Sequence, residues 1–118
     1  MNRSTFNPTP GEVWLSKARL IHVDTFQLFD PKMKIRPVLV VGKQYADRVQ
    51  IVPGSSKSWH VLYTKQLMRT DYPFLDQDTK FLAFEAQNQQ IGDFLRKIGV
   101  IREDDLQEIV EYVRLAFL

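Results

Sequence analysis

Two β-branched apolar runs, Val38 to Val41 and Val49 to Val52, set the tightest limit on how this chain can fold. Each is long enough for a core strand, and Val and Ile favour a pleated, half-buried surface. Tyr45, Ala46, Asp47 and Arg48 lie between them, a connection length typical of neighbouring antiparallel strands. Paired that way, the start of the first run lies beside the end of the second. The first is entered through Arg36-Pro37, and the second is left through Pro53-Gly54-Ser55-Ser56. The pairing therefore predicts that Arg36 and two hydroxyls meet at one edge of a small sheet. A guanidinium beside two hydroxyls is suited to phosphate.

Around this hairpin the chain alternates short apolar runs with turn residues. Residues 1–10 are polar, carry Pro8 and Pro10, and read as a loosely held lead-in; 11–118 form one domain. Gly11 precedes a strand, Glu12-Val13-Trp14-Leu15, with Val13 and Leu15 on one face and Trp14 on the other. Ala18 to Val23 either continues that strand or returns as its partner. Asp24 to Lys34 is a long connection, and its lysines, Lys32 and Lys34, lead directly into Arg36. Val61-Leu62-Tyr63 and Phe81-Leu82-Ala83-Phe84 predict further strands, while Gln87-Asn88-Gln89-Gln90 reads as a polar break. Ile91, Phe94, Leu95 and Ile98 have helical spacing, ended by Gly99. A second helix starts near Arg102 or Glu103, with Glu103, Asp104 and Asp105 at the positive end of its dipole. Its apolar stripe is Leu106, Ile109, Val110, Val113 and Phe117. Short strands followed by a helical tail define an α+β domain with a small barrel or curled sheet.

Composition narrows the chemistry more than the partner. The 118 residues contain no cysteine, which excludes disulfides, thiolate catalysis and cysteine metal sites. A net charge of +2 permits a local nucleic-acid patch without arguing for one. The amino-terminal residues lack the apolar core of a signal peptide, and no run is long enough to span a bilayer, so a cytoplasmic protein with no membrane partner is expected.

The order and spacing of four pieces resemble the PemK/MazF family of toxin endoribonucleases. They are Gly11-Glu12-Val13-Trp14-Leu15, Arg36-Pro37 before its aliphatic strand, Val52-Pro53-Gly54-Ser55-Ser56, and Asp76-Gln77 before Thr79-Lys80-Phe81. The acidic start of a terminal amphipathic helix fits as well. The chain between Trp14 and Asp30 is longer than usual for the family, and three further features depart from its pattern. Asp30-Pro31 is followed by Lys32-Met33-Lys34 rather than a Gly-x-Glu-Gln element, Ser55 stands for the usual threonine, and Phe74 occupies a position where some members carry arginine.

The resemblance implies a small SH3-like β-barrel with C-terminal amphipathic helices, assembled as a homodimer. It also implies cleavage of single-stranded RNA, including mRNA, at short sequence motifs without metal or cofactor. In that reaction a ribose 2′-hydroxyl attacks the adjacent phosphorus, leaving a cyclic phosphate and a 5′-hydroxyl. A cognate antitoxin protein would compete for the same groove. Carried over residue by residue, Arg36 stabilises the transition state and acts as acid, Ser55 hydrogen-bonds the phosphate, and Asp76 holds or deprotonates a ribose hydroxyl. Substrate contacts are expected from Ser56, Gln77, Lys34, Lys57, Trp59 and His60, with Trp59 and Tyr63, where exposed, offering stacking surfaces for unpaired bases.

Each of these residues also has an ordinary reading. Arg36 suits a surface ion pair, and Ser55-Ser56 after Pro-Gly suits a turn. Asp76 suits a turn or a helix cap, and Trp14 and Trp59 suit core or dimer packing. His22 and His60 are isolated and form neither a metal site nor an acid–base pair. A rival of another class keeps the toxin fold without cleavage and binds a protein target such as DNA gyrase. A second rival is a plain RNA-binding barrel.

Overall fold

In a computed structural model of the chain, residues 7–21, 34–58 and 61–118 are described. His22, Trp59, His60 and all of the Asp24–Lys34 connection except Lys34 lie outside them. The two β-branched runs form the centre of a 7-stranded antiparallel sheet: β1 (Glu12–Ala18), β2 (Lys34–Val40), β3 (Arg48–Ser55), β4 (Thr64–Leu67), β5 (Thr79–Leu82), β6 (Gln87–Gln90) and β7 (Phe94–Val100). One helix follows, α1 (Glu103–Ala116). The strand order is β4-β5-β3-β2-β1-β7, with β6 also on β3. The sheet is curled and not closed, so the α+β expectation holds as an open sheet with a single carboxy-terminal helix.

The central hairpin has the expected register, with Val38 opposite Pro53, Leu39 opposite Val52 and Val40 opposite Ile51. Alternation along these strands feeds two cores, one on each face. Val13, Leu39, Val52, Phe81 and Leu75 belong to the first, which α1 covers with Leu106 and Ile109. Trp14, Ala18, Val38, Val40, Val49, Ile51 and Phe94 belong to the second. Leu15 is only half-buried, unlike its predicted companion Val13. Beyond Ile109 the helix stripe thins out, and Phe117 is exposed.

β5 and β6 lie end to end along one edge of β3, at Ser55–Lys80 and Gly54–Phe81 for β5 and at Ile51–Gln87 through Arg48–Gln90 for β6. A 3-10 turn, Ala83–Glu85, interrupts them opposite Val52 and Pro53. Pro53 has no N–H to give to a ladder, which is a physical reason for the gap.

Three sequence expectations are corrected here. Gln87–Gln90, expected as a break, is β6, because Gln89 turns its amide inward to hydrogen-bond partners while Gln90 and Asn88 face out. Val61-Leu62-Tyr63 is a turn, with Tyr63 at φ +55°, and the strand starts at Thr64. Ile91–Ile98 is not a helix but a short 3-10 turn followed by β7. Register shifts between Val13/Trp14 and Leu15/Ser16 leave β7 bulged against β1. A bulge changes which face the next residues present. Phe94 therefore packs edge-on against Trp14, ring centroids 5.4 Å apart, while Ile98 serves the opposite core. Apolar residues three and four apart then imitate a helix.

Local devices close the structure around this sheet. Gly11 at φ +95° donates its N–H to Val40 (2.9 Å) and accepts from Ile101 (2.9 Å), joining β1 to the chain before α1. Glu12 accepts from Trp14 Nε1 (2.9 Å), the Thr9 N–H (3.0 Å) and Lys97 Nζ (3.3 Å). Burial disfavours its charge, but those hydrogen bonds outweigh burial and hold the carboxyl below its ordinary value. Gly99 meets the ring of Phe74, which a Cβ would overlap at 2.2 Å, so Phe74 is a packing residue. Tyr72 hydrogen-bonds Asp105 and receives the Arg102 N–H (3.1 Å), tying the helix start to the β4–β5 connection.

Candidate active site

Antiparallel pairing gathers the end of β1, the start of β2, the end of β3 and the start of β5 at one end of the sheet. Lys17, Arg19, Lys34, Lys57 and Lys80 all lie there. The chain's weak net charge thus conceals a local basic end, while α1 carries Glu103, Asp104, Asp105, Glu108 and Glu111.

Arg36 lies in this basic end, opposite Ser16 of β1. By alternation it shares a face with Val38 and Val40, at the far end of the second core. Its Nε donates to the Ala18 carbonyl at 3.3 Å. Partial burial lowers the guanidinium pKa, and the nearby charge of Glu85 pushes it back up. An arginine so placed stays charged at neutral pH. Among the described residues Arg36 forms no ion pair within 4.0 Å.

Glu85, on the 3-10 turn between β5 and β6, is fully buried and accepts the Ile21 N–H. A buried carboxylate needs opposite charge and hydrogen bonds; the Ile21 N–H is one such bond, and Arg36 is a cation on which the carboxylate's charge acts. Neighbouring side chains extend the arrangement. Gln87 Nε2 donates to the Arg19 carbonyl (2.9 Å), and Gln89 Nε2 donates to Ser16 Oγ (2.9 Å) and to the Lys17 carbonyl. Ser16 Oγ donates to the Asp93 carbonyl at 3.0 Å. The second core therefore ends in a buried polar network that fixes the backbone of residues 16–21 and orients Arg36.

Ser55 ends β3, half-buried, and its Oγ accepts the Lys57 N–H at 3.2 Å. Gly54 lies so close to Pro37 that an added Cβ would be 3.1 Å from the Pro37 carbonyl. The strand end bearing Ser55 thus abuts the strand start bearing Arg36. Ser56 and Lys57 are exposed just beyond. Asp76 and Gln77 are exposed on the β4–β5 connection, and the Gln77 carbonyl accepts from Thr79 Oγ1 at 2.8 Å. Thr79 packs on Gly54, so Gln77 sits near the same sheet end. Among the described residues Asp76 has no hydrogen-bond or ion-pair partner, and the carboxylate whose charge acts on Arg36 is Glu85.

Reading the sequence missed Glu85, Ser16, Gln87 and Gln89. Glu85 had a signal, an acid interrupting the apolar run Phe81-Leu82-Ala83-Phe84. The amides had a weaker one, four consecutive residues with high hydrogen-bonding capacity. Among the described residues no group of three or more His, Asp or Glu is placed to hold a metal ion. No helix among them is long and apolar enough to cross a membrane.

The fold is that of the MazF toxins. A MazF from Deinococcus radiodurans superposes with a TM-score of 0.69 at 18% identity, over 96% of this chain and 99% of that one. The Mycobacterium tuberculosis toxin MazF-mt6 gives 0.67 at 16% identity, over 90% and 95%. A mycobacterial endoribonuclease in complex with its cognate antitoxin gives 0.67 at 13% identity, over 93% and 94%. No protein-family model matches the chain, and no curated protein matches it.

Proposed function

We propose that the chain is a toxin endoribonuclease that cleaves single-stranded RNA without metal and is neutralised by a cognate antitoxin. The observation that carries this reading is that Arg36, bonded to the Ala18 carbonyl, and the strand end bearing Ser55 adjoin at the basic end of a MazF-type sheet. Arg36 neutralises the non-bridging oxygens as charge develops on them, which is the largest demand of phosphoryl chemistry on a protein. Ser55, on the adjoining strand end, donates to the phosphate. Glu85 is too deeply buried to touch substrate and acts by positioning Arg36. Asp76, exposed and unpaired among the described residues, is left to contact a ribose hydroxyl, with Gln77 beside it for a base edge. Ser56, Lys34 and Lys57 hold the backbone of the RNA. A cytoplasmic homodimer with the antitoxin across this groove completes the proposal, supported by a neighbour solved with its cognate antitoxin.

The test is incubation of purified protein with a long single-stranded RNA in excess EDTA, with Arg36→Ala alongside. Discrete fragments ending in cyclic phosphate and 5′-hydroxyl, absent with the variant, are expected. Intact RNA across several substrates, with folded protein, would overturn the nuclease reading and turn attention to a protein target such as DNA gyrase.

A further inference from the structure

The opposite end of the central hairpin holds a feature that the cleavage site does not use. After Val40 the β2–β3 connection opens. The N–H groups of Val41 and Gly42 both donate to the Gln50 carbonyl, at 3.0 and 3.3 Å. Farther out, Tyr45 and Arg48 exchange N–H···O bonds of 2.8 and 3.0 Å, closing a second tight turn with Ala46 at φ +55°. The Gln44 side-chain amide donates to the Ala46 carbonyl (2.9 Å), and the Ile91 N–H donates to the Asp47 backbone carbonyl (2.8 Å), anchoring that turn to the chain after β6. Between the two closures lies a shallow cleft of about 440 Å³.

The residues lining it suit one chemistry. Tyr45 is 85% exposed although its own N–H and carbonyl are both bonded to Arg48. Lys43 and Arg48 add cations, and Gln50, Asn88 and Asp47 add amide and carboxylate groups. An exposed ring offers a stacking face for a base, cations meet phosphate, and amides and a carboxylate read base edges. A purely structural turn has no need of a solvent-facing tyrosine flanked by two cations. We infer that this cleft is a nucleotide-binding site, taking one unpaired base with its phosphate. It lies about 20 Å along β2 from Arg36, reckoned at about 3.3 Å per residue. Its natural source is either a free nucleotide or a distal nucleotide of an RNA strand whose cleaved bond lies at Arg36. The second of these rests on the nuclease reading; the first does not.

The test is an amide NMR titration of the full chain with uridine and adenosine 5′-monophosphate, with inorganic phosphate as control. A single-stranded 2′-O-methyl oligoribonucleotide, which lacks the attacking hydroxyl, is titrated next. Shifts at Gly42, Tyr45 and Arg48 with nucleotide but not phosphate are expected. Tyr45→Ala should weaken binding about tenfold, as loss of one stacked base does, and Tyr45→Phe should retain it. Tighter binding of the oligonucleotide than of the monophosphates assigns the site to RNA; equal binding assigns it to free nucleotide. Shifts confined to the Arg36–Ser55 end, the same shifts with phosphate alone, or an unchanged affinity in Tyr45→Ala would overturn the cleft. Cleft binding by a protein that leaves unmodified RNA intact overturns the nuclease reading and spares the cleft. Cleavage without cleft binding does the reverse.

Discussion

The two cores of this molecule lie on opposite faces of one sheet and are built to different rules. The first is apolar along most of its length and is closed by α1 through Leu106 and Ile109. The second is apolar around Trp14 and Phe94 but ends in Ser16, Gln89, Glu85 and Arg36. A close-packed apolar core contributes stability through area and volume. A polar core end contributes position, since each donor has a specific acceptor and few rotamers satisfy both. On the proposed function, stability and chemistry fall to different faces, and substitutions should separate them.

The largest effect is expected in the first core. Phe81→Ala removes a fully buried ring and should cost about 3–5 kcal/mol in chemical denaturation. Its cleavage rate per folded molecule should stay close to wild type. Arg36→Ala should lose roughly a hundredfold to a thousandfold in cleavage rate, and its stability loss, from the buried Glu85 charge left less compensated, should be smaller than that of Phe81→Ala. Equal damage to both quantities in both variants would erase the distinction between the cores.

Glu85→Gln sharpens the comparison. The amide keeps an acceptor for Ile21 N–H but removes the charge facing Arg36, so a stability loss of about 2 kcal/mol and a slower reaction should appear together. Asp76→Asn, on an exposed connection, should leave stability within about 0.5 kcal/mol. Cleavage unaffected by Glu85→Gln would remove Glu85 as a positioning residue.

The smallest effect concerns pH. Glu12 is held below its ordinary value, so its contribution is present above the unfolded pKa, about 4.5, and is lost as pH falls through the lower folded value. Thermal unfolding followed from pH 7 downward should show this decline, and Glu12→Gln should flatten it by no more than about 1 kcal/mol. An identical pH slope in that variant would show that other carboxylates dominate.

Much of the fold was legible because its signals are local. The β-branched runs and the acidic start of α1 each carry their own pattern, and the hairpin register follows from a short link. The carboxy-terminal half of the sheet was not legible in the same way. Bulges in β7 disguise a strand as a helical repeat, and β6 is held by inward amides that no hydrophobic pattern marks. The site divides similarly. Arg36 and Ser55 could be placed by pairing two adjacent strands. Glu85 could not, because its proximity to Arg36 depends on β5 and β6 returning along β3.

The gap opposite Pro53 has a consequence for how such a sequence can drift. An unbroken strand in place of Ala83–Glu85 would leave no turn from which Glu85 drops inward beside Arg36. A residue with an N–H at position 53 would favour that continuous strand and so put the glutamate at risk without touching it. Pro53, Glu85 and Arg36 are thus physically linked across three elements. A lineage losing the proline would be expected to lose the acid soon afterwards, or to re-create the break by other means.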